Sequence, residues 1–333
     1  MENQTNIQLQ FFQRIRDQLP GHISLVEDIA ELLEISNDSA YRRIRGEKPL
    51  SLQEVGRLCR HYRFSVDELL GSCSTNSVTF QTNMLDQENY SFLDWLRNLL
   101  SHMVKTSSAE EAETMFILNE LNIFQILQVP EVFAFKLFFW QKSNLDFEKF
   151  RNSRFSLDKQ NEATDEVAHE IVDHYIKINT IELTTEECLS SYLKQIVYYS
   201  EAGYFETRND ATKLCEKLLE LVDHQQRQAE LGYKFHFGKQ PAGKEGNYQL
   251  YHNDIILADN TILIKTGNLQ TTFITSNAIN LLQTQNKDFY QYNFNWGRNL
   301  MAKSILISGT AEKERNRFFR KLEEQIGSVA DQL

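Results

Sequence analysis

Apolar residues recur at helical spacing through the first seventy positions. Leu9, Phe12 and Ile15, with Phe11 beside them, mark one stripe between Ile7 and Leu19, and Pro20-Gly21 ends that segment. Three segments then open with a serine followed three residues later by a glutamate: Ser24-Leu-Val-Glu27, Ser51-Leu-Gln-Glu54 and Ser65-Val-Asp-Glu68. In such a capping box the serine oxygen accepts from a backbone N–H of the first turn, while the glutamate accepts from the serine's own N–H. Ser36 is placed to cap a further helix to about Arg45, which Gly46 and Pro49 stop. The pattern predicts five short helices around one core.

Gly71 to Gln87 is rich in Ser, Thr, Asn and Gln without periodicity and reads as a linker. Beyond it the pattern is mostly helical, at about Tyr90 to Val104, Pro130 to Ser143, Glu162 to Ile178, Thr185 to Glu201 and Thr207 to Leu231. Val132, Phe133, Phe135, Leu137, Phe138, Phe139 and Trp140 leave the second of these apolar on nearly every side, which predicts a central position. Tyr248 to Thr275 is rich in β-branched residues and interrupted by Asp259-Asn260 and Gly267-Asn268, the signature of a small antiparallel meander near 248–275. Helices resume at about Ser276 to Gln283, Phe289 to Leu306 and Ala311 to Ile326; the last carries Phe318, Leu322 and Ile326 in one stripe that could pack inward or form a dimer seam. The fold class is mainly α, organised as a helical domain over 1–70, a linker over 71–87 and a larger helical domain with the meander over 88–333.

Composition narrows the function. The longest apolar run, Val132 to Trp140, is under half of the roughly 20 residues that a bilayer-spanning helix needs, and Met1-Glu-Asn-Gln-Thr-Asn lacks the basic start and apolar core of a secretory signal, so a cytoplasmic location is expected. Cys59, Cys73, Cys188 and Cys215 form no CxxC pair, and Cys59 with His61 finds no second pair at zinc-finger spacing, so neither a disulfide framework nor a metal site is expected. The net charge of −11 disfavours nucleic acid as a partner of the whole surface. Between Ile35 and Arg63, however, seven Lys/Arg face three acids, a local excess of +4 that leaves −15 on the rest. An acidic body behind a basic patch orients that patch toward a polyanion.

The basic window coincides with the segment capped by Ser36. At 3.6 residues per turn Ala40 and Ile44 form its inward stripe, while Asp38, Ser39, Arg42 and Arg45 face outward with Arg43 at their edge. Ala30, the turn Glu34-Ile35-Ser36, the helix Asn37 to Arg45, Gly46, Pro49 and the closing segments Leu50 to Cys59 and Phe64 to Leu70 together resemble the Xre or phage-repressor type of helix-turn-helix domain. The resemblance implies a lambda-repressor-like five-helix fold, double-stranded DNA as partner and a second helix seated in the major groove. Two positions depart from that family's pattern: Glu34 replaces the usual turn glycine, and Arg43 stands where an apolar residue is common, with Ile44 taking its place. Asn37, Asp38, Ser39 and Arg42 are expected to contact bases, because Asn pairs with adenine, Arg with guanine and Asp with the cytosine amine. Arg43, Arg45 and Lys48, with the N–H groups behind Ser36, are expected to hold phosphates. One short recognition helix buries little surface, so a homodimer on a pseudo-palindromic operator is expected, with the second domain dimerising and receiving a small-molecule or peptide effector. The competing reading is a protein-interaction adaptor, antitoxin-like or from phage defence, with little specific DNA affinity.

Other motifs fall short of chemistry. Gly238-Lys-Gln-Pro-Ala-Gly243-Lys244 fits GxxxxGK but is followed by Glu245, where a phosphate-binding loop needs a hydroxyl, and by a strand pattern, so it reads as a loop. His169 and His174 are five apart, about 140° around a helix, too far to share a metal as HExxH does. Asp165, His169 and Asp173 do align and read as an exposed charged stripe. Tyr198-Tyr199 and Tyr204-Phe205 read as core, with a ligand pocket as the alternative. No catalytic constellation follows from spacing, so neither an enzyme nor a cofactor is expected.

Overall fold

The computed structural model describes residues 7–19, 23–62, 66, 77–82, 90–109, 111–159, 162–254, 260–277 and 279–333. The chain divides into two compact units, Met1–Gln81 and Thr82–Leu333.

The first unit contains α1 (Ile7–Gln18), α2 (Leu25–Leu33), α3 (Asn37–Ile44) and α4 (Leu52–Tyr62). Phe11, Phe12, Ile15, Ile29, Ala30, Leu33, Ala40, Ile44 and Leu58 form its core. Leu9, assigned to the inward stripe from the sequence, is instead exposed, and Phe11 takes the buried place. Of the capping boxes, Ser51–Glu54 forms in both directions: the Ser51 N–H donates to Glu54 Oε2 at 2.7 Å and the Glu54 N–H to Ser51 Oγ at 3.2 Å. Ser24 sits at the start of α2 without a side-chain cap bond. The Ser65–Glu68 box, with the fifth helix it predicts, and most of the linker lie outside the described residues.

The second unit begins with α5 (Phe92–Ser107) and β1 (Ala112–Ile117). Then come α6 (Ile123–Ile126), α7 (Pro130–Phe139), which continues as a π-type turn over Trp140–Asn144, α8 (Glu148–Arg151), α9 (Glu162–Tyr175) and β2 (Asn179–Thr184). A 3-10 turn at Glu186–Leu189 leads into α10 (Ser190–Glu201) and α11 (Arg208–Leu231), followed by β3 (Tyr248–His252), β4 (Thr261–Thr266), β5 (Leu269–Ser276) and β6 (Asn280–Thr284). The chain closes with α12 (Lys287–Met301), β7 (Ile305–Leu306) and α13 (Glu312–Ala330).

These strands form one mixed sheet in the order β6-β5-β4-β1-β2-β3-β7, far larger than the small meander the sequence predicts. β1, β2 and β3 run parallel, with Glu113 opposite Asn179 and Thr180 opposite Tyr248, while β4, β5 and β6 form the antiparallel part, joined to the centre by β1 against β4. The hairpin at Gly267 (φ 56°) sits where the turn signal places it. β3 does not join that hairpin but pairs with β2. The segment predicted helical at Ser276 to Gln283 is largely β6, and α12 stops at Met301 because Ile305–Leu306 pairs with β3.

Strand alternation divides the apolar residues between two faces. Met115, Ile117, Leu183 and Leu263 pack with Tyr290 of α12 on one side, while Phe116, Tyr248 and Leu250 belong to the large helical core on the other. Phe133 and Phe135 of α7 are buried in that larger core. Glu182, on the helical face of β2, is buried, and so is Lys234 in the segment after α11. Asn122 Nδ2 donates to Glu182 at 2.8 Å and Gln225 Nε2 at 3.3 Å. Lys234 Nζ donates to the Ile178 carbonyl at 2.6 Å and lies 4.4 Å from the centre of the Tyr175 ring. Burial pushes the Glu182 carboxyl up to about 7 and the Lys234 ammonium down to about 7, each partly relieved by its partners.

Candidate nucleic-acid interface

Two successive left-handed residues shape the first unit's charged face. At the end of α2, Glu34 adopts φ 57° and ψ 45°. The Glu34 N–H reaches the Glu31 carbonyl at 3.2 Å and the Ile35 N–H the Ala30 carbonyl at 3.0 Å, the paired bonds of a Schellman ending. The sequence departs from glycine here, yet the turn is no looser for it; the glutamate carries the backbone strain instead. Ser36 follows in extended conformation, and its Oγ accepts from the Ser39 N–H at 3.3 Å, capping α3. α3 ends in the same manner at Gly46 (φ 74°), where the Gly46 N–H bonds the Arg43 carbonyl at 2.9 Å and the Glu47 N–H bonds Arg42's at 2.8 Å.

Gln8 of α1 fixes the exit from α3. Its Nε2 donates to the Arg43 carbonyl at 2.7 Å and the Lys48 carbonyl at 2.8 Å, and its Oε1 accepts from the Leu50 N–H at 3.0 Å. No local pattern marks a glutamine more than thirty residues away as the brace for this loop.

Ala40 and Ile44 are buried against the core, as the helical spacing requires. Asn37, Asp38, Tyr41, Arg42, Arg45 and Lys48 are exposed. Arg42 and Arg45 make long ion pairs with Glu47, at 4.0 and 3.5 Å, and the Arg45 guanidinium lies 5.5 Å from the Tyr41 ring centre. Exposed pairs of this kind are worth about 1 kcal/mol or less and are readily exchanged for phosphate. Arg57 of α4 adds an exposed cation, 3.9 Å from Glu34.

The outward placement of Arg43 requires correction, and Ser39 is partly engaged by it. Arg43 is 6% exposed and does not reach outward. Its Nη2 donates to Glu54 Oε1 at 2.6 Å, and its Nη1 to the hydroxyl and carbonyl oxygens of Ser39 at 2.7 and 3.2 Å. A guanidinium engaged in this way ties α3 to the capped start of α4 and is withdrawn from any phosphate. Burial pushes Glu54 upward, but the Ser51 N–H and Arg43 outweigh it and hold the carboxyl below its ordinary value. Ser39 is half-buried with its oxygen occupied by Arg43, leaving its hydroxyl proton as the group it can offer to a base. The sequence marks Glu54 as a cap but gives no sign that its second oxygen receives Arg43.

What remains outward is a helix N-terminus with Asn37 and Asp38, one turn later Arg42, then Arg45 and Lys48: short polar groups first, long cations after. That order suits base edges ahead and backbone behind. Residues 6–93 match the BetR domain family. The BetR domain is a helix-turn-helix type of DNA-binding domain, and the match supports a DNA-binding, regulatory role. The BetR match covers the whole of α1 to α4 and runs on to the first turn of α5. No curated protein and no solved structure matches the chain. Among the described residues no helix is long and apolar enough to cross a membrane.

Proposed function

We propose that the protein is a sequence-specific transcriptional regulator of Xre-like type that places α3 in the major groove of its operator. The observation that carries this reading is the exposed row Asn37, Asp38, Arg42, Arg45 and Lys48, backed by buried Ala40 and Ile44 inside a BetR domain. Asn37, Asp38, Ser39 and Arg42 read base edges. Ser36 with its adjacent N–H groups, Arg45 and Lys48 hold phosphates, and Arg43 supports the helix from behind. The protein acts from the cytoplasm as a homodimer on a pseudo-palindromic site, because a single eight-residue helix contacts too few base pairs for specific affinity. The second unit supplies dimerisation and effector response, and the protein works by binding without catalysis.

Selection of randomised duplexes by the full-length protein, followed by sequencing, tests the reading. Enrichment of a two-fold-related motif, with affinity that falls steeply between low and moderate salt, is expected. Failure to enrich any sequence overturns it in favour of an adaptor role.

A further inference from the structure

The second unit contains a cluster for which DNA binding has no use. Asp165, His169 and Asp173 stand at four-residue steps on α9 and share one face of it. His236, in the segment after α11, lies against that face. Its ring is stacked on that of His169, with centroids 4.8 Å apart and planes 25° apart, and its Nε2 is 2.7 Å from Asp173 Oδ1. One ligating atom from each of His169, Asp173 and His236 lies within 4.8 Å of the other two. The three residues thus converge where spacing along α9 alone gave only a charged stripe. His169, Asp165 and His236 also line a cavity of about 90 Å³ together with Gln128, and no lysine or arginine is among its walls.

Hydrogen bonding accounts for one ring only. Asp173 engages His236, whereas the His169 ring has no hydrogen-bond partner among the described residues. Two imidazole nitrogens and one carboxylate oxygen are the donor set of a zinc-type site. The segment carrying His236 is already held in place: the Phe237 N–H donates to Gln128 Oε1 at 3.2 Å and the Phe235 carbonyl accepts from Gln228 Nε2 at 2.8 Å. A second group, Glu186, His252 and Asp254, differs in one respect: Lys321 Nζ lies 2.6 and 2.5 Å from the Glu186 oxygens, so a cation is already supplied.

We propose that His169, Asp173 and His236 bind one divalent transition-metal ion of the zinc type, bracing α9 to the segment after α11. Full-length protein stripped with chelator is titrated with Co²⁺, read by its visible ligand-field absorption, and Zn²⁺ affinity is then measured by competition with a chromogenic chelator. One ion per chain with a four-coordinate spectrum is expected. His169→Ala and His236→Ala should each weaken Zn²⁺ at least tenfold while keeping the metal-free unfolding temperature. His174→Ala, on the same helix as His169 but with its ring bonded to Ser107 of α5, and His252→Ala should bind as the wild type does. Absence of a saturable Co²⁺ spectrum, undiminished affinity in both His169→Ala and His236→Ala, or loss in His252→Ala alone overturns the proposal. Where an alanine variant does not fold, diethylpyrocarbonate labelling of the wild type decides: Zn²⁺-dependent protection of His169 supports the site and its absence refutes it.

Discussion

Arg42 and Arg43 are neighbours in sequence, and a rotation of about 100° around α3 separates what each can do. Arg42 has a side chain 54% exposed and a weak tie to Glu47, so it contributes little to folding. Arg42→Ala is expected to leave unfolding within about 0.5 kcal/mol of wild type while lowering operator affinity at least tenfold in a mobility-shift series, in keeping with roughly 1–3 kcal/mol for a good base contact. Arg43→Ala should do the reverse first. Removing a charge-assisted bond to a mostly buried carboxylate costs about 2 kcal/mol, and a double-mutant cycle with Glu54→Ala should show that the two losses are not additive. The exposed arginine was legible in the sequence because Ala40 and Ile44 set the phase of the helix. The buried one was not, since its partner lies eleven residues on, across a turn.

At the scale of elements, the turn between α2 and α3 and the contact of α12 with the sheet each rest on one position. Glu34 holds a left-handed conformation that costs a side-chain-bearing residue about 1 kcal/mol. Glu34→Gly is expected to stabilise the first unit by up to that amount, seen as slower amide exchange in α2 and α3; faster exchange would show that the strain is not there. Gly297 is the opposite case: a Cβ there would stand 2.6 Å from Met115 Sδ and 2.9 Å from Ile117 Cδ1. Gly297→Ala should destabilise the second unit by about 1–3 kcal/mol, with neighbouring Trp296 reporting the earlier transition by its fluorescence. The longer helices were largely readable because their apolar period is local, and some, such as α3, α5 and α11, carry their own caps. The sheet was not. Its central strands β1 and β2 are six residues each and include Glu113 and Glu182, so no long β-branched run announces them. The Asn280-Leu-Leu-Gln of β6 favours helix locally and is overridden by pairing with β5.

For the molecule as a whole, burial of Glu182 and Lys234 sets a pH dependence that the net charge does not suggest. Glu182 rises from 4.5 to about 7 on folding, so its stabilising share is complete below 4.5 and is lost as pH climbs to about 7. Lys234 falls from 10.5 to about 7, so its share is complete above 10.5 and is lost as pH drops toward 7. Together these two groups weigh most against the folded second unit near neutrality. Tryptophan fluorescence isolates this unit, because Trp95, Trp140 and Trp296 all lie in it. Glu182→Gln should flatten the loss between pH 4.5 and 7; an unchanged slope would assign that loss to other groups. The sheet has a further consequence, for synthesis. β1 ends at Ile117, but the strand that covers its antiparallel side begins at Thr261, whereas the helices of the first unit need only neighbours within sixty-odd residues. On the ribosome the first unit can therefore be complete while β1 still waits with one edge bare. A message cut short before Thr261 would yield a finished headpiece joined to an open strand that invites pairing with other nascent copies.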